Sequence, residues 1–320
     1  MKMGGFFVIT LLMATVLITG GTGTIGNRLA TLLKEQGHTV NLLSRAKGNE
    51  SSNKINGQTF LWNITQQTID QEAISTADFI IHLAGAGVAD KRWSKKRKQE
   101  IVESRTQSSR LIIDSLTKIP NKVQAIISAS AIGWYGPDRI YQQDAFTETE
   151  NWHPDFLGRT CYLWEQSIAP VLSLGKRLVI LRTGIVLSND GGAFVEFKKP
   201  LLFKIAAILG KGDQFISWIH VDDLCNQYIF AINNASMNGV YNAVAPNPIT
   251  NKELTIALAK KITGGFFIPI YIPAFMLKII VGEMSIEVLK STKVSAAKML
   301  STGYSFNYPT INEAINELTK

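Results

Sequence analysis

Val16-Leu17-Ile18-Thr19-Gly20-Gly21-Thr22-Gly23-Thr24-Ile25-Gly26 is the stretch whose reading decides the fold. A short apolar run predicts a buried strand. A glycine-rich turn follows, and then a helix from about Ile25 to Gln36 that stops at Gly37. Gly20, Gly23 and Gly26 stand three apart, and Gly21 completes a G-x-G-x-x-G pattern. A side chain at such a turn would hold a pyrophosphate away from the backbone, and the last glycine lets the helix pack close to the sheet. The helix start then offers unpaired N–H groups and a partial positive charge that suit an anion, with Gly20, Thr22, Gly23, Thr24, Ile25 and Gly26 placed against the cofactor. A chance glycine turn is the alternative, and the strand–turn–helix context weighs against it.

The rest of the chain bounds the reading. Its 320 residues fit about two domains, or one large α/β unit with an added lobe. Nearly half the residues are apolar and the formal charge is +8. That excess suits anionic ligands such as phosphorylated cofactors, and no nucleic-acid signature accompanies it. Cys161 and Cys225 are the only cysteines; they form neither a disulfide framework nor a metal-ligand spacing, which fits a reducing compartment. Lys2 and the apolar run Met3–Ile18 resemble a short signal or anchor, but the run includes the cofactor strand itself. Residues 1–12 therefore read as an extension and the protein as cytoplasmic, with an N-terminally membrane-tethered form as the lesser alternative. Gly264, Gly265, Pro269, Pro273 and Lys278 interrupt the apolar stretch Ile262–Val281, which reads as a packed loop and helix instead of a membrane span. A homodimer is the assembly the sequence leaves open.

Taken in order, Thr39–Leu43 predicts a second strand ending in Ser44-Arg45, with Lys47 beside them. NAD-binding units usually carry an acid here for the ribose 2′-hydroxyl. An arginine can instead pair with a 2′-phosphate, so Ser44 and Arg45 point to NADP(H); a solvated arginine at a strand end is the bland alternative. Thr59–Trp62 reads as a third strand, with Asn63 past it near an adenine edge. Asp78–Gly85 reads as a fourth, whose Leu83, Ala84 and Gly85 would approach the cofactor. His82 reads as a packed core histidine. The basic run Lys91–Lys98 is either the wet face of a helix reaching about Leu116, or a loop presenting Asp90, Arg92 and Trp93 to a substrate.

Val123–Ser128 predicts a fifth strand leading into Ser128-Ala129-Ser130 and then Gly133-Trp134-Tyr135-Gly136, where Trp134 also faces substrate. Helix Phe156–Leu172 and strand Leu178–Leu181 follow, the strand ending in Arg182-Thr183-Gly184. Arg182 and Gly184 are placed with the cofactor. This alternation implies an α/β fold, a doubly wound parallel sheet with right-handed crossovers. Asp222 or Asp223 caps a helix to about Asn233, Gly239–Ala243 is a further short strand, and helices lie near 250–262 and 285–300. The expected Rossmann domain comprises 13–186 and 215–246, and a smaller C-terminal substrate lobe comprises 187–214 and 247–320. No metal site is expected.

With these motifs placed, the chain resembles the extended short-chain dehydrogenase/reductases. Within them it resembles the atypical branch of epimerase-family proteins, sometimes labelled cell-division inhibitors, over about residues 13–315. The resemblance rests on Thr19–Gly26, His82–Gly85, Ala89–Trp93, Ser128–Gly136, Phe156–Glu165, Arg182–Gly184, Trp218–Asp223 and Tyr241–Pro246. Residues 265–315 resemble that branch's own C-terminal domain, of the DUF1731 type. The resemblance implies a Rossmann domain for NADP(H) with a substrate lobe above the nicotinamide. Family members use a Tyr-x-x-x-Lys pair, but here Leu157 and Cys161 occupy those positions, and Ser104 stands for a common asparagine. Of the usual constellation Ser130 survives, with a register doubt against Ser128.

Two functions remain. One is an NADP(H)-dependent oxidoreductase or epimerase of an unknown small molecule, using Ser130, Tyr135 or Cys161 as its acid/base group. The other is a catalytically reduced NADP(H)-binding sensor or scaffold. Loss of the Tyr/Lys pair favours the sensor, and Trp93, Trp134 and Trp218 near a cleft favour the enzyme.

Overall fold

The computed structural model describes residues 13–46, 56–138 and 144–320. Within them the chain starts β1 (Thr15–Thr19), α1 (Thr24–Glu35), β2 (Thr39–Ser44), β3 (Thr59–Asn63), β4 (Thr68–Ile69), α2 (Gln71–Ser75) and β5 (Phe79–His82). It continues α3 (Lys95–Lys118), β6 (Ala125–Ala131), α4 (Phe156–Ile168), β7 (Arg177–Thr183), β8 (Ile185–Leu187), α5 (Ala193–Lys198) and β9 (Ile205–Leu209). Then come β10 (Phe215–Ile216), β11 (Trp218–His220), α6 (Val221–Asn233), β12 (Gly239–Ala243), β13 (Ile249–Thr250) and α7 (Asn251–Thr263). The chain closes with β14 (Ile268–Ile272), α8 (Ala274–Val281), α9 (Ser285–Leu289), α10 (Ala297–Ser301) and α11 (Ile311–Leu318).

Eight strands form one sheet in the order β12-β7-β6-β5-β1-β2-β3-β4, parallel except for the β3–β4 pair. The order turns back on itself at β1, so the loops after β1 and β5 diverge and open a crevice at the carboxyl edge. Strand parity explains the two buried faces. Val16, Ile18, Ile81 and Ile127 pack with Leu29 and Leu33 of α1 and Leu224 and Tyr228 of α6. Leu17, Ile80, Ile126 and Ile180 pack the other way, against Leu111 and Ile112 of α3 and Ile168 of α4. Burial on both faces is why these strands read as continuous apolar runs.

A second core joins Phe194, Leu201, Trp218, Leu254, Leu258 and Ile315. Two short pairs, β9 with β14 and β10 with β13, lie beside it. Trp218, expected near the cleft, is fully buried here and its indole N–H donates to Asn247 O at 3.0 Å.

Three expectations change. The single helix over 285–300 is two short helices, because Lys290–Ala296 runs extended: Lys293 O accepts from Phe146 N at 2.8 Å and Val294 N donates to Ser217 Oγ at 2.9 Å. The stretch Ile262–Val281 contains strand β14 as well as a helix, and no described helix is long and apolar enough to cross a membrane. Helix α6 is capped by His220, whose Nδ1 accepts from Asp222 N, and not by either aspartate. Asp222 instead pairs with Arg28 of α1, and buried Asp223 accepts from Asn307 N at 2.7 Å and Tyr308 N at 2.9 Å, tying the C-terminal segment to α6. The 1–12 extension and Lys47 lie outside the described residues.

Candidate active site

At the end of β1 the chain turns through Gly20, whose φ of +71° suits glycine. A Cβ there would also stand 3.0 Å from the Leu83 carbonyl carbon, so the bare backbone lets the turn sit on the end of β5. A Cβ on Gly26 would collide with Gly20 O and stand 2.6 Å from Gly21 Cα; this glycine brings α1 onto the turn. Helix α1 begins at Thr24 with no side-chain cap and no acidic residue in its first turn. Its orphan N–H groups and dipole are left for an anion. Thr22 and Gly23 are exposed, and Thr24 and Ile25 half-buried. The segment after β8 returns to this turn: Thr24 Oγ1 donates to Asp190 O at 3.4 Å, with Gly191 and Gly192 in positive φ. Sequence reading assigned that segment to the other lobe; the Gly-Gly pair was the available signal.

Thr19 fixes the neighbouring strand end. Its hydroxyl oxygen accepts from Leu83 N and Ala84 N, both at 3.1 Å, which leaves its own hydrogen for His82 Nδ1 at 2.8 Å. His82 Nε2–H then donates to Ser109 Oγ at 3.1 Å. Burial, helped by Arg105, lowers the His82 pKa to about 3, so the ring is a neutral core group as expected.

Ser44 and Arg45 sit where β2 ends. The Ser44 hydroxyl donates to Ala46 O at 2.7 Å, shaping the turn, while Arg45 is exposed at the same edge. Asn63 is partly engaged: its amide donates to Gln66 Oε1 at 3.0 Å and its oxygen accepts from Gln66 N at 2.9 Å. Asn63 is exposed, and its second amide hydrogen and second lone pair stay open to an adenine edge.

The candidate acid/base groups converge, but inside the protein. Ser130 Oγ donates to Glu165 Oε1 at 2.6 Å, and Glu165 takes both Nε and Nη2 of Arg182 at 2.9 Å. Arg182 Nη1 donates to the Tyr135 hydroxyl at 3.1 Å, and that hydroxyl donates to Asn242 Oδ1 at 2.7 Å. Trp134 lies under the guanidinium at 3.6 Å, and its N–H goes to Glu150 O. All six side chains are buried. Burial raises the Tyr135 pKa to about 12 despite Arg182, and burial with Glu165 raises the Cys161 thiol to about 12. Two expectations are corrected here. Arg182 has its fork committed to Glu165 and cannot also hold a cofactor phosphate, and Trp134 is covered by Arg182 and does not face a ligand. Gly184 is a packing glycine: a Cβ would stand 2.5 Å from Ser217 O.

Asp90, Arg92 and Trp93 lie together on the loop after β5. Asp90 pairs with Arg97 at 3.3 Å, Arg92 donates to Ile279 O at 2.7 Å, and Trp93 meets Phe156 edge-on at 4.9 Å. Lys98 pairs with Glu283, so the end of α8 and the residues after it abut this loop and the start of α3. Ser104 accepts from Ala86 N at 2.9 Å, holding the strand-end backbone.

Sequence reading passed over Arg105. Its guanidinium is buried beside Gly85, where a Cβ would stand 3.1 Å from Cζ. Nη1 donates to Ala86 O at 3.0 Å and Ile101 O at 2.9 Å, and Trp164 lies 4.9 Å away. No ion pair joins it to a carboxylate among the described residues, and burial lowers its pKa. The signal was a charge on the inward stripe Ile101, Arg105, Ser108, Ile112 of α3. Among the described residues no cluster could hold a metal, and both cysteines are free.

Comparison with known proteins supports the fold. Residues 16–157 match the NAD dependent epimerase/dehydratase family, and residues 272–318 match a domain of unknown function, DUF1731. An epimerase family protein of Staphylococcus saprophyticus is 35% identical over 94% of this chain and 98% of its own length. The crystal structure of a human epimerase family protein with NADPH superposes with a TM-score of 0.82 at 27% identity, covering 95% of this chain and 99% of that one. A nucleoside-diphosphate sugar epimerase from Corynebacterium glutamicum gives 0.76 at 30% identity, over 96% of this chain and 59% of that one. The glycine turn, the parallel sheet and the matched C-terminal domain together make this chain a member of the epimerase family, in the atypical extended branch of the short-chain dehydrogenase/reductases.

Proposed function

We propose that this protein binds NADP(H) along the carboxyl edge of β1, β2 and β5 and acts in the cytoplasm as an oxidoreductase or epimerase on a small molecule. The observation that carries the reading is the uncapped, acid-free start of α1, held against β1 and β5 by Gly20 and Gly26. Thr22, Gly23, Thr24 and Ile25 would hold the pyrophosphate, and Leu83, Ala84 and Gly85 would flank the ribose. Arg45 would meet the 2′-phosphate, a reading supported by the NADPH in the human relative. The dinucleotide, when bound, supplies the hydride chemistry. Residues 13–186 and 215–246 form the cofactor unit in this proposal, and Asp90, Arg92 and Trp93 meet the substrate beneath the unit of 187–214 and 247–320.

Arg105 takes the part of the missing lysine. Leu157 and Cys161 stand at the Tyr and Lys positions, and Arg105 is a buried cation at the same edge with no carboxylate paired to it among the described residues. A buried cation without a counter-charge is costly, which favours an electron-rich ligand beside it. Ser130 and Tyr135 are proposed to hold the Glu165–Arg182 pair within the core, and Cys161 to pack near Arg105, not to move protons.

The test compares Arg105→Met and Arg105→Lys for NADPH binding and for hydride transfer to a panel of nucleotide sugars and carbonyl compounds. The proposal expects at least a tenfold loss in the methionine variant, partial rescue in the lysine variant, and similar melting temperatures. Unchanged binding and transfer in Arg105→Met would contradict it. The burial of Tyr135 and Cys161 favours a second reading, a cofactor-binding sensor; NADPH binding without hydride transfer to any compound would support that one.

A further inference from the structure

The C-terminal lobe exposes an apolar surface that the proposed reaction does not use. Leu202 and Phe203, each 78% exposed, precede β9; Phe266 precedes the paired strand β14, which Ile268 begins. Ile268 N donates to Lys204 O at 2.8 Å, so these residues form one continuous edge. The surface continues onto α8, where Phe275 and Ile279 are exposed and only Leu277 is buried. Contiguous apolar surface of this kind marks an interaction site.

The charge around it is mainly basic. Segments 196–213 and 260–283, which carry the surface and its edges, hold seven lysines (198, 199, 204, 211, 260, 261 and 278) against three acids, of which Glu196 is paired with Lys199 and Glu283 with Lys98, leaving Asp213. Lys204 already lies 5.2 Å from the Phe266 ring. A second copy docking face to face would bring two such lysine sets together. Strand addition along β14 is also disfavoured, because Pro269 removes an edge N–H. Aromatic and aliphatic side chains at the centre with lysines at the rim match the interface of an anionic bilayer, where apolar groups enter the acyl boundary and cations meet the headgroups.

We propose that this surface, formed by the turn before β9, strand β14 and helix α8, docks the protein peripherally on anionic phospholipid membranes. The full-chain protein is sedimented with vesicles of phosphatidylcholine alone or mixed equally with phosphatidylglycerol, at low and high salt. A Leu202→Ser/Phe203→Ser/Phe275→Ser/Ile279→Ser variant is compared at equal melting temperature. The proposal expects at least tenfold more binding to the anionic vesicles, weakened by salt and lost in the variant. It is overturned if the variant binds as well as the parent, which would place membrane contact elsewhere, for instance in residues 1–12. It is equally overturned if neither binds, or if the surface instead mediates a dimer that the variant dissociates in sedimentation velocity.

Discussion

Arg182 and Glu165 form a two-bond buried ion pair, with Nε to Oε1 and Nη2 to Oε2 both at 2.9 Å, and Ser130 and Tyr135 hydrogen-bond to its two ends. The pair bridges the end of β7 to α4, directly behind the carboxyl edge. Removing one partner of such a pair strands a charge in the core, which costs about 3–5 kcal/mol. Arg182→Met should lose stability on that scale in urea denaturation, whereas joint replacement with Glu165→Leu should recover most of it. A single-variant loss below about 1 kcal/mol, the range of an exposed pair, would show that water relieves the charge.

Tyr135 tests whether the network is structural. Tyr135→Phe leaves Asn242 Oδ1 and Arg182 Nη1 without their phenol partner, a cost of about 1–3 kcal/mol. NADPH affinity should stay within about twofold, since a lost charge-assisted bond would shift it much further. A stability left intact alongside a large loss of turnover would return the phenol to the chemistry.

His82 gives the fold a defined acid sensitivity. Its native pKa of about 3 lies below the ordinary 6.5, so between those values the unfolded chain binds one proton more than the native one. Its contribution to stability is complete above pH 6.5 and falls as pH drops toward 3, by up to about 1.4 kcal/mol per pH unit. The difference between parent and His82→Gln in urea denaturation at pH 7.5, 6 and 5 should therefore shrink steadily with acid. A difference independent of pH would mean the imidazole is hydrated in the native state.

The sheet was legible because buried parallel strands are written as apolar runs, and Gly20, Gly23 and Gly26 mark where the first run turns into a helix. What failed was set by distant contacts. Residues 290–296 have helix-compatible local sequence, yet they are held extended by Ser217 and the backbone of Phe146. Arg182 was placed with the cofactor because it follows a strand, although it shares the face of Ile180, which α4 covers. That parity was readable; its partner Glu165 was not, since nothing local links the two positions. Arg105 has no local signature beyond its place on the inward stripe of α3; that no carboxylate pairs with it among the described residues is visible only in the fold.

The central claim, an NADP(H) site at the turn after β1 with Arg45 on the 2′-phosphate, is tested most directly by calorimetric titration. The full-chain protein is titrated with NADPH, NADP+, NADH and NAD+, and the series is repeated on Arg45→Ala. The account predicts one site that prefers the 2′-phosphorylated dinucleotides, and a loss of about 1–3 kcal/mol in the variant for NADPH and NADP+ but not for NADH or NAD+. Equal binding of NADPH and NADH, unaffected by the substitution, would contradict the assignment of Arg45. Failure to bind any dinucleotide would contradict the claim itself.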